Sequence, residues 1–256
     1  MQDRLVRNYM PFTDSIRDSC RKYLIILAVL LVFSDSSEAQ QSDYRKIFGD
    51  DWDKATAFLS ENDAWIRTAL AKYNIPYDEI IAAVFPELVR YSAISDKMEI
   101  TLLKALYRNI GRGYADFSVG RFQVKPSFAE KIRKIAPAVM GKKSGELFIK
   151  KSAYSNDYQF RASIIEDLED PRKEFGYIIV FYLAAQKRFD IGNLDEKQRI
   201  RLLATAYNAG FWMKKDDLLM LEDRKFFNTK LIKTDNYSYA DVALYWYEHH
   251  TPTEVK

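Results

Sequence analysis

The sequence predicts an all-α fold, a single helical domain behind an N-terminal leader, and three observations predict it. Nine glycines and seven prolines in 256 residues leave too few turn-formers for the many reversals of a β-sandwich or barrel. Apolar residues recur at three- and four-residue spacing over most of the chain beyond residue 42, the period of a helix face turned toward a core. The run YIIVFYLAA from Tyr177 to Ala185 is apolar on every side, as a helix enclosed by other helices is. With 48% hydrophobic residues the chain has material for a proper core, and disordered, collagenous and multi-span membrane classes are excluded.

The leader comes first. Arg17, Arg21 and Lys22 precede an unbroken apolar stretch from Tyr23 to Phe33, and Ser37, Glu38 and Ala39 follow it as a small-x-small ending. A basic flank, a short apolar segment and such an ending read as a secretory signal peptide, residues 1–39, cleaved after Ala39. Met10 offers a second start. Eleven apolar residues rise only about 16 Å as a helix, about half of a bilayer core, so a membrane span is the weaker reading. Cys20 lies before the apolar stretch, whereas a lipid-modified cysteine follows it. The mature domain, 40–256, then carries no cysteine, and an exported protein without disulfides relies on its core.

The elements follow in order. Ser42 to Tyr73 carries Tyr44, Ile47, Phe48, Trp52, Phe58, Leu59, Trp65, Ile66 and Leu70 at helical spacing, closed by Asn74 and Pro76. Tyr77 to Tyr91 is a second apolar helix, which Pro86 must kink or stop. Glu99 to Arg108 is a third. Pro126 to Ala136 is a fourth, with proline suited to a first turn. Lys173 to Phe189 is the central helix. Asp195 to Asn208 ends at Gly210, as a helix C-terminus does, and Tyr237 to His250 is the last. The segments 109–120 and 140–157 read as irregular.

Composition narrows the chemistry. A net charge of +3 does not by itself make the concentrated basic face that nucleic acid demands. A single cysteine and two adjacent histidines, His249 and His250, argue against a cysteine-held metal, a histidine-rich metal site or a Ser-His-Asp triad. No metal and no organic cofactor is implied. The charged pairs Glu166–Asp167 and Asp216–Asp217 read as solvated helix faces.

Three short segments remain: FPELVRYS at 85–92, DFSVGRFQVKPS at 116–127 and ATAYNAGF at 204–211. In this order they resemble the lytic transglycosylases and goose-type lysozymes of the lysozyme-like superfamily. That family carries a glutamate at a helix end, then Gly-Leu-Met-Gln, then Ala-Tyr-Asn-Ala-Gly. Ala206 to Gly210 reproduce the last motif letter for letter. Gly120 and Gln123 keep the ends of the second, with Arg121 and Phe122 between them. Leu88 follows the glutamate where the family usually has serine. Glu87 stands 33 residues before Gly120, a longer gap than the family shows, so residues 96–114 read as an insertion.

The resemblance implies a lysozyme-like domain that cleaves the glycan strands of peptidoglycan in the periplasm or outside the cell. Glu87 would be its single acid. Phe85, Pro86, Leu88 and Val89 surround it in sequence, and apolar burial raises a carboxyl pKa, which keeps a proton available for a departing glycosidic oxygen. The same group then removes a proton from the muramyl 6-hydroxyl, which closes a 1,6-anhydro ring. Tyr207 would orient Glu87 through its hydroxyl, and Asn208 would contact sugar or fix the adjoining loop. Gln123 would bind the N-acetyl sugar, Gly120 would let backbone approach it, and Ser118 is a polar neighbour. Asp116 discriminates between reactions, because inverting hydrolysis needs a second carboxylate roughly 6.5–9.5 Å from the acid. Two other classes stay open: a lysozyme-like scaffold that binds glycan without cutting it, favoured by Leu88 and Arg121, and an envelope interaction protein using Lys142-Lys143 and Lys150-Lys151.

Overall fold

The computed structural model describes residues 42–93, 97–113, 115–229 and 235–250, and the proposed signal segment 1–39 lies outside them. From Tyr44 onward the chain forms one compact unit, and it is mostly helical. Its helices are α1 (Tyr44–Phe48), α2 (Asp50–Ala71), α3 (Tyr77–Ala93), α4 (Lys97–Ile110), α5 (Pro126–Met140), α6 (Ser144–Leu147), α7 (Asp157–Glu169), α8 (Pro171–Phe189), α9 (Glu196–Ala209), α10 (Lys215–Leu219) and α11 (Tyr239–His249). Two short antiparallel strands, β1 (Lys225–Phe227) and β2 (Tyr237–Ser238), close a hairpin ahead of α11. Among the described residues no helix is long and apolar enough to cross a membrane.

Two helices organise the interior. Helix α3 lies against α2, α9 and α11, and every residue from Ile80 to Val89 is buried. Proline at position 86 does not stop it. The residue lacks an N–H to return to Ala82, yet α3 runs on through Pro86 to Ala93, held by packing on three sides where propensity alone would end it. Helix α8 is the second centre, lying against α5, α7 and α9. It is buried almost throughout from Glu174 to Ala185, as its apolar sequence predicts. Glu79 of α3 joins the two centres by accepting hydrogen bonds from Tyr182 of α8 at 2.9 Å and from Arg199 of α9 at 2.9 Å.

Local signals account for most boundaries. The first predicted helix is two, because Gly49 sits at φ 51° and breaks the run between Phe48 and Asp50. Asp195 and Gln198 form a reciprocal capping box at the start of α9. Helix α7 is the element the periodicity missed. Asn156 caps it by accepting from the Gln159 amide at 2.9 Å, and Phe160, Ile164, Ile165 and Leu168 form its buried stripe. Asp167 therefore does not belong to a solvated face. Its carboxylate takes the guanidinium of the buried Arg133 and, at 3.1 Å, the hydroxyl of Tyr177. The apparent insertion contributes α4, anchored by Tyr107 donating to Glu130 at 2.8 Å and by Arg161 donating to the carbonyl of Arg108 at 2.9 Å.

Candidate active site

Three distant stretches of chain converge on one cavity of about 170 Å³. Helix α3 supplies Glu87 and Arg90. The C-terminal end of α9 and the residues after it supply Tyr207, Asn208, Gly210 and Trp212. The segment leading into α5 supplies Asp116, Ser118, Gln123 and Lys125. Of the residues singled out in the sequence, six line this cavity together: Glu87, Asp116, Ser118, Gln123, Tyr207 and Asn208. Gly120 does not line it. Its contribution is to the turn that carries Gln123.

Glu87 is buried, with 4% of its surface exposed. Arg90, one turn on, donates from Nη1 to both carboxylate oxygens at 2.7 and 2.9 Å. Burial pushes the Glu87 pKa above the ordinary carboxyl range, against the opposing charges of Arg90 and then Lys125. The desolvation cost therefore outweighs the ion pair. The Arg90 guanidinium also stands 4.6 Å from the centre of the Phe227 ring, which fixes it from the other side.

The turn from Val119 to Val124 is built to present Gln123. Val119 donates to the Val124 carbonyl at 3.1 Å, and Gln123 to that of Gly120 at 3.4 Å. Gln123 adopts φ 55°, a left-handed conformation that a non-glycine residue holds only when its surroundings impose it. Its side-chain Nε2 donates to the Gly120 carbonyl at 2.8 Å, while its Oε1 is buried without a partner among the described residues. A buried amide oxygen in a polar cavity is an acceptor waiting for a donor. Gly120, at φ 80°, admits no side chain, since a Cβ would overlap the Leu168 carbonyl and the Glu174 carboxyl.

Glu174 is the residue that motif matching missed. It sits on α8, wholly buried, and its Oε1 accepts the amide hydrogens of Phe122 at 3.1 Å and Val124 at 3.4 Å. Burial holds its pKa well above the usual range despite those amides. Tyr207, on α9, grips the same turn. Its hydroxyl donates to the Phe122 carbonyl at 2.7 Å, so its one proton is not directed to Glu87 and the orienting role expected of it passes to Arg90. Burial raises the Tyr207 pKa, followed by the charges of Glu174 and Glu87.

Asp116 faces the cavity but is engaged elsewhere. Its two oxygens accept the Ser127 amide at 3.1 Å and the Ser127 hydroxyl at 2.8 Å. Lys125, the N-cap residue of α5, provides no side-chain cap, and Asp116 supplies that function from outside the helix.

The departures from the motif have physical explanations. Leu88 is 2% exposed and packs into the core. Phe122 is buried and contacts the rings of Phe58 and Phe175. Arg121 lies 4.5 Å over Tyr91 and 5.0 Å over Phe58. Gly210 at φ 118° leaves room for the Trp212 ring, which a Cβ would strike. Trp212 remains 40% exposed at the rim. No family model, curated protein or solved structure matches this chain.

Proposed function

We propose that the chain is an exported peptidoglycan lytic transglycosylase that breaks the β-1,4 bond between N-acetylmuramic acid and N-acetylglucosamine. One observation carries this reading. A buried glutamate of raised pKa, paired with Arg90 of its own helix, opens on a cavity where Asp116, Ser118, Gln123, Tyr207 and Asn208 come from the two segments that resemble the family's binding motifs.

The chemistry needs one group. Protonated Glu87 gives its proton to the glycosidic oxygen, the bond from that oxygen to the muramyl anomeric carbon breaks, and the N-acetylglucosamine end departs as an alcohol. The Glu87 carboxylate then takes the proton of the muramyl 6-hydroxyl, whose oxygen bonds to the anomeric carbon. No water is consumed, and the glutamate ends protonated as it began. Gln123 Oε1 suits the N–H of an acetamido group, and Glu174 and Tyr207 hold the turn that presents it.

Asp116 bears on the alternative, a muramidase that adds water. Both of its oxygens are committed to Ser127, which favours the one-acid reaction. A catalytically silent glycan binder is the other reading, and the Arg90 ion pair, which favours ionised Glu87, is the observation behind it. Digestion of purified peptidoglycan followed by mass spectrometry decides among the three. Anhydro-muramyl ends are expected. Reducing ends establish a hydrolase, and intact strands at high protein concentration establish a binder.

A further inference from the structure

A second cavity, of about 530 Å³, opens beside the first. Its floor is apolar, formed by Ala136, Pro137, Phe148, Phe160 and Ile149, and Ile149 is 63% exposed. Its walls are basic. Arg112 is paired with Glu130, Arg133 with Asp167 and Lys151 with Asp157. Lys131, Lys134 and Lys150 also line it, and none of the three has an ion pair among the described residues. Glu130 is the one carboxylate in the lining. Three of the six basic side chains are thus matched by carboxylates, and the three lysines leave an excess of positive charge on a greasy surface.

The two cavities share a wall. Ser127 and Phe128 of α5 line the first, and Lys131 and Lys134 of the same helix line the second. Residues three and four apart lie along one helix face. Lys131 marks the junction, its ammonium resting 3.1 Å from the centre of the Trp212 ring, and Trp212 belongs to the first cavity. Burial and the neighbouring Arg112 charge lower the Lys131 pKa, with Asp116 opposing. From Ser127 to Lys134 the helix rises about 10 Å, the length of about three extended peptide residues.

We propose that this basic groove is a subsite for the peptide stem of peptidoglycan, an oligopeptide bearing several free carboxylates, attached to a muramyl sugar seated near Glu87. This rests on the proposed function, and it names the substrate as stem-bearing rather than bare glycan. The groove fits that ligand in three respects. The distance from the first cavity matches the second and third stem residues, where free carboxylates begin. The unpaired lysines match the charge. The apolar floor accommodates alanine methyls and the methylene chain of a diamino acid.

The test is a binding measurement, so that it does not depend on catalysis. The full chain carrying Glu87→Gln is titrated onto immobilised, uncrosslinked glycan strands with intact stems, and onto the same strands stripped of stems by an amidase. Binding to stem-bearing strands is expected to be roughly tenfold tighter, the effect of two partly desolvated ion pairs. Lys134→Glu combined with Lys150→Glu is expected to erase that preference and leave binding to stripped strands unchanged. Both lysines are exposed, and the neutral pair Lys134→Gln and Lys150→Gln, with an unchanged melting temperature, guards against a folding artefact. Equal binding to the two strands overturns the proposal, as does a preference that survives charge reversal. Tighter binding to phosphatidylglycerol vesicles than to either strand also overturns it and assigns the groove to a membrane surface. Failure of the transglycosylase reading would look different: unaltered Glu87 protein would release no product from either strand while the binding preference persisted.

Discussion

Glu87 and Glu174 occupy the two sides of one small region, and the contrast between them separates chemistry from architecture. Both are buried, burial raises both pKa values, and both act on the Tyr207 hydroxyl. They differ in partners. Glu87 opens on the cavity and holds one side-chain guanidinium on its two oxygens. Glu174 is wholly enclosed and takes backbone amides of the turn that carries Gln123. A face open to the cavity suits proton transfer, whereas backbone amides and a closed face suit holding a loop. Raised pKa values mark both as unusual, and access to the cavity is what separates the proposed acid from the clamp.

The sharpest way to break this comparison is to remove only the proton from each. Glu87→Gln is expected to lower the rate of glycan cleavage at least about 10³-fold, within the range for loss of a general acid, with the melting temperature held. Glu174→Gln keeps an acceptor for both amides and is expected to retain cleavage within a few-fold. Release of soluble muropeptides measures both. If Glu174→Gln is the inactive variant and Glu87→Gln the active one, the assignment is reversed.

Truncation should reverse the order of damage in stability. Glu174→Ala leaves two buried amides without an acceptor and opens a void, at a cost of about 2–4 kcal/mol in urea unfolding. The pH dependence has a definite sign. The folded-state pKa of Glu174 lies above its unfolded value of 4.5. Its favourable contribution is therefore complete below that value and is lost as pH rises through the folded pKa. Melting temperature should fall across that window, and Glu174→Gln should flatten the part of the fall that Glu174 causes.

How much of this was legible in the sequence follows from the range of each signal. The helices of the core were legible because burial leaves a trace in the apolar pattern, continuous in the enclosed α8 and periodic in helices with one buried face such as α2. Helix α7 was not, because Arg133 and Tyr177 bury the polar Asp167 from outside the segment, so its apolar stripe is narrow. The six cavity residues were legible because family-like letters mark Glu87, Gln123 and Tyr207. Their partners were not. Glu174 reaches Phe122 and Val124 across about fifty residues of chain, and nothing local marks a glutamate in an apolar helix as the clamp of a distant turn. The reach of Arg90 to Glu87 is local, at helical spacing, but the same spacing occurs in countless exposed pairs.

Arg90 sharpens the comparison on the side of Glu87. Its charge lowers the pKa that burial raises. Replacing it by Met removes the charge and keeps the stem, so the Glu87 pKa is expected to rise further. Cleavage requires the protonated acid, hence the alkaline limb of the pH–rate profile should move up by about 1 unit or more. An unchanged limb would place the titration in another group.

Asp116 carries the smallest expected effect and the clearest division between reactions. Its carboxylate stands in for the missing cap of α5, so Asp116→Ala should cost about 1 kcal/mol of stability, the usual value of an N-cap. In the one-acid reaction the carboxylate touches neither the departing oxygen nor the muramyl 6-hydroxyl, and cleavage should fall no more than a few-fold. If it holds a water for inverting hydrolysis, the same substitution should cost 10²-fold or more, about the contribution of a general base, and the wild-type products should carry reducing ends. Rate and product identity are independent readouts of one carboxylate. A large rate loss with anhydro ends intact would instead mean that the cap positions Ser127 and Lys125 at the cavity wall, extending to α5 the role Glu174 has for the turn.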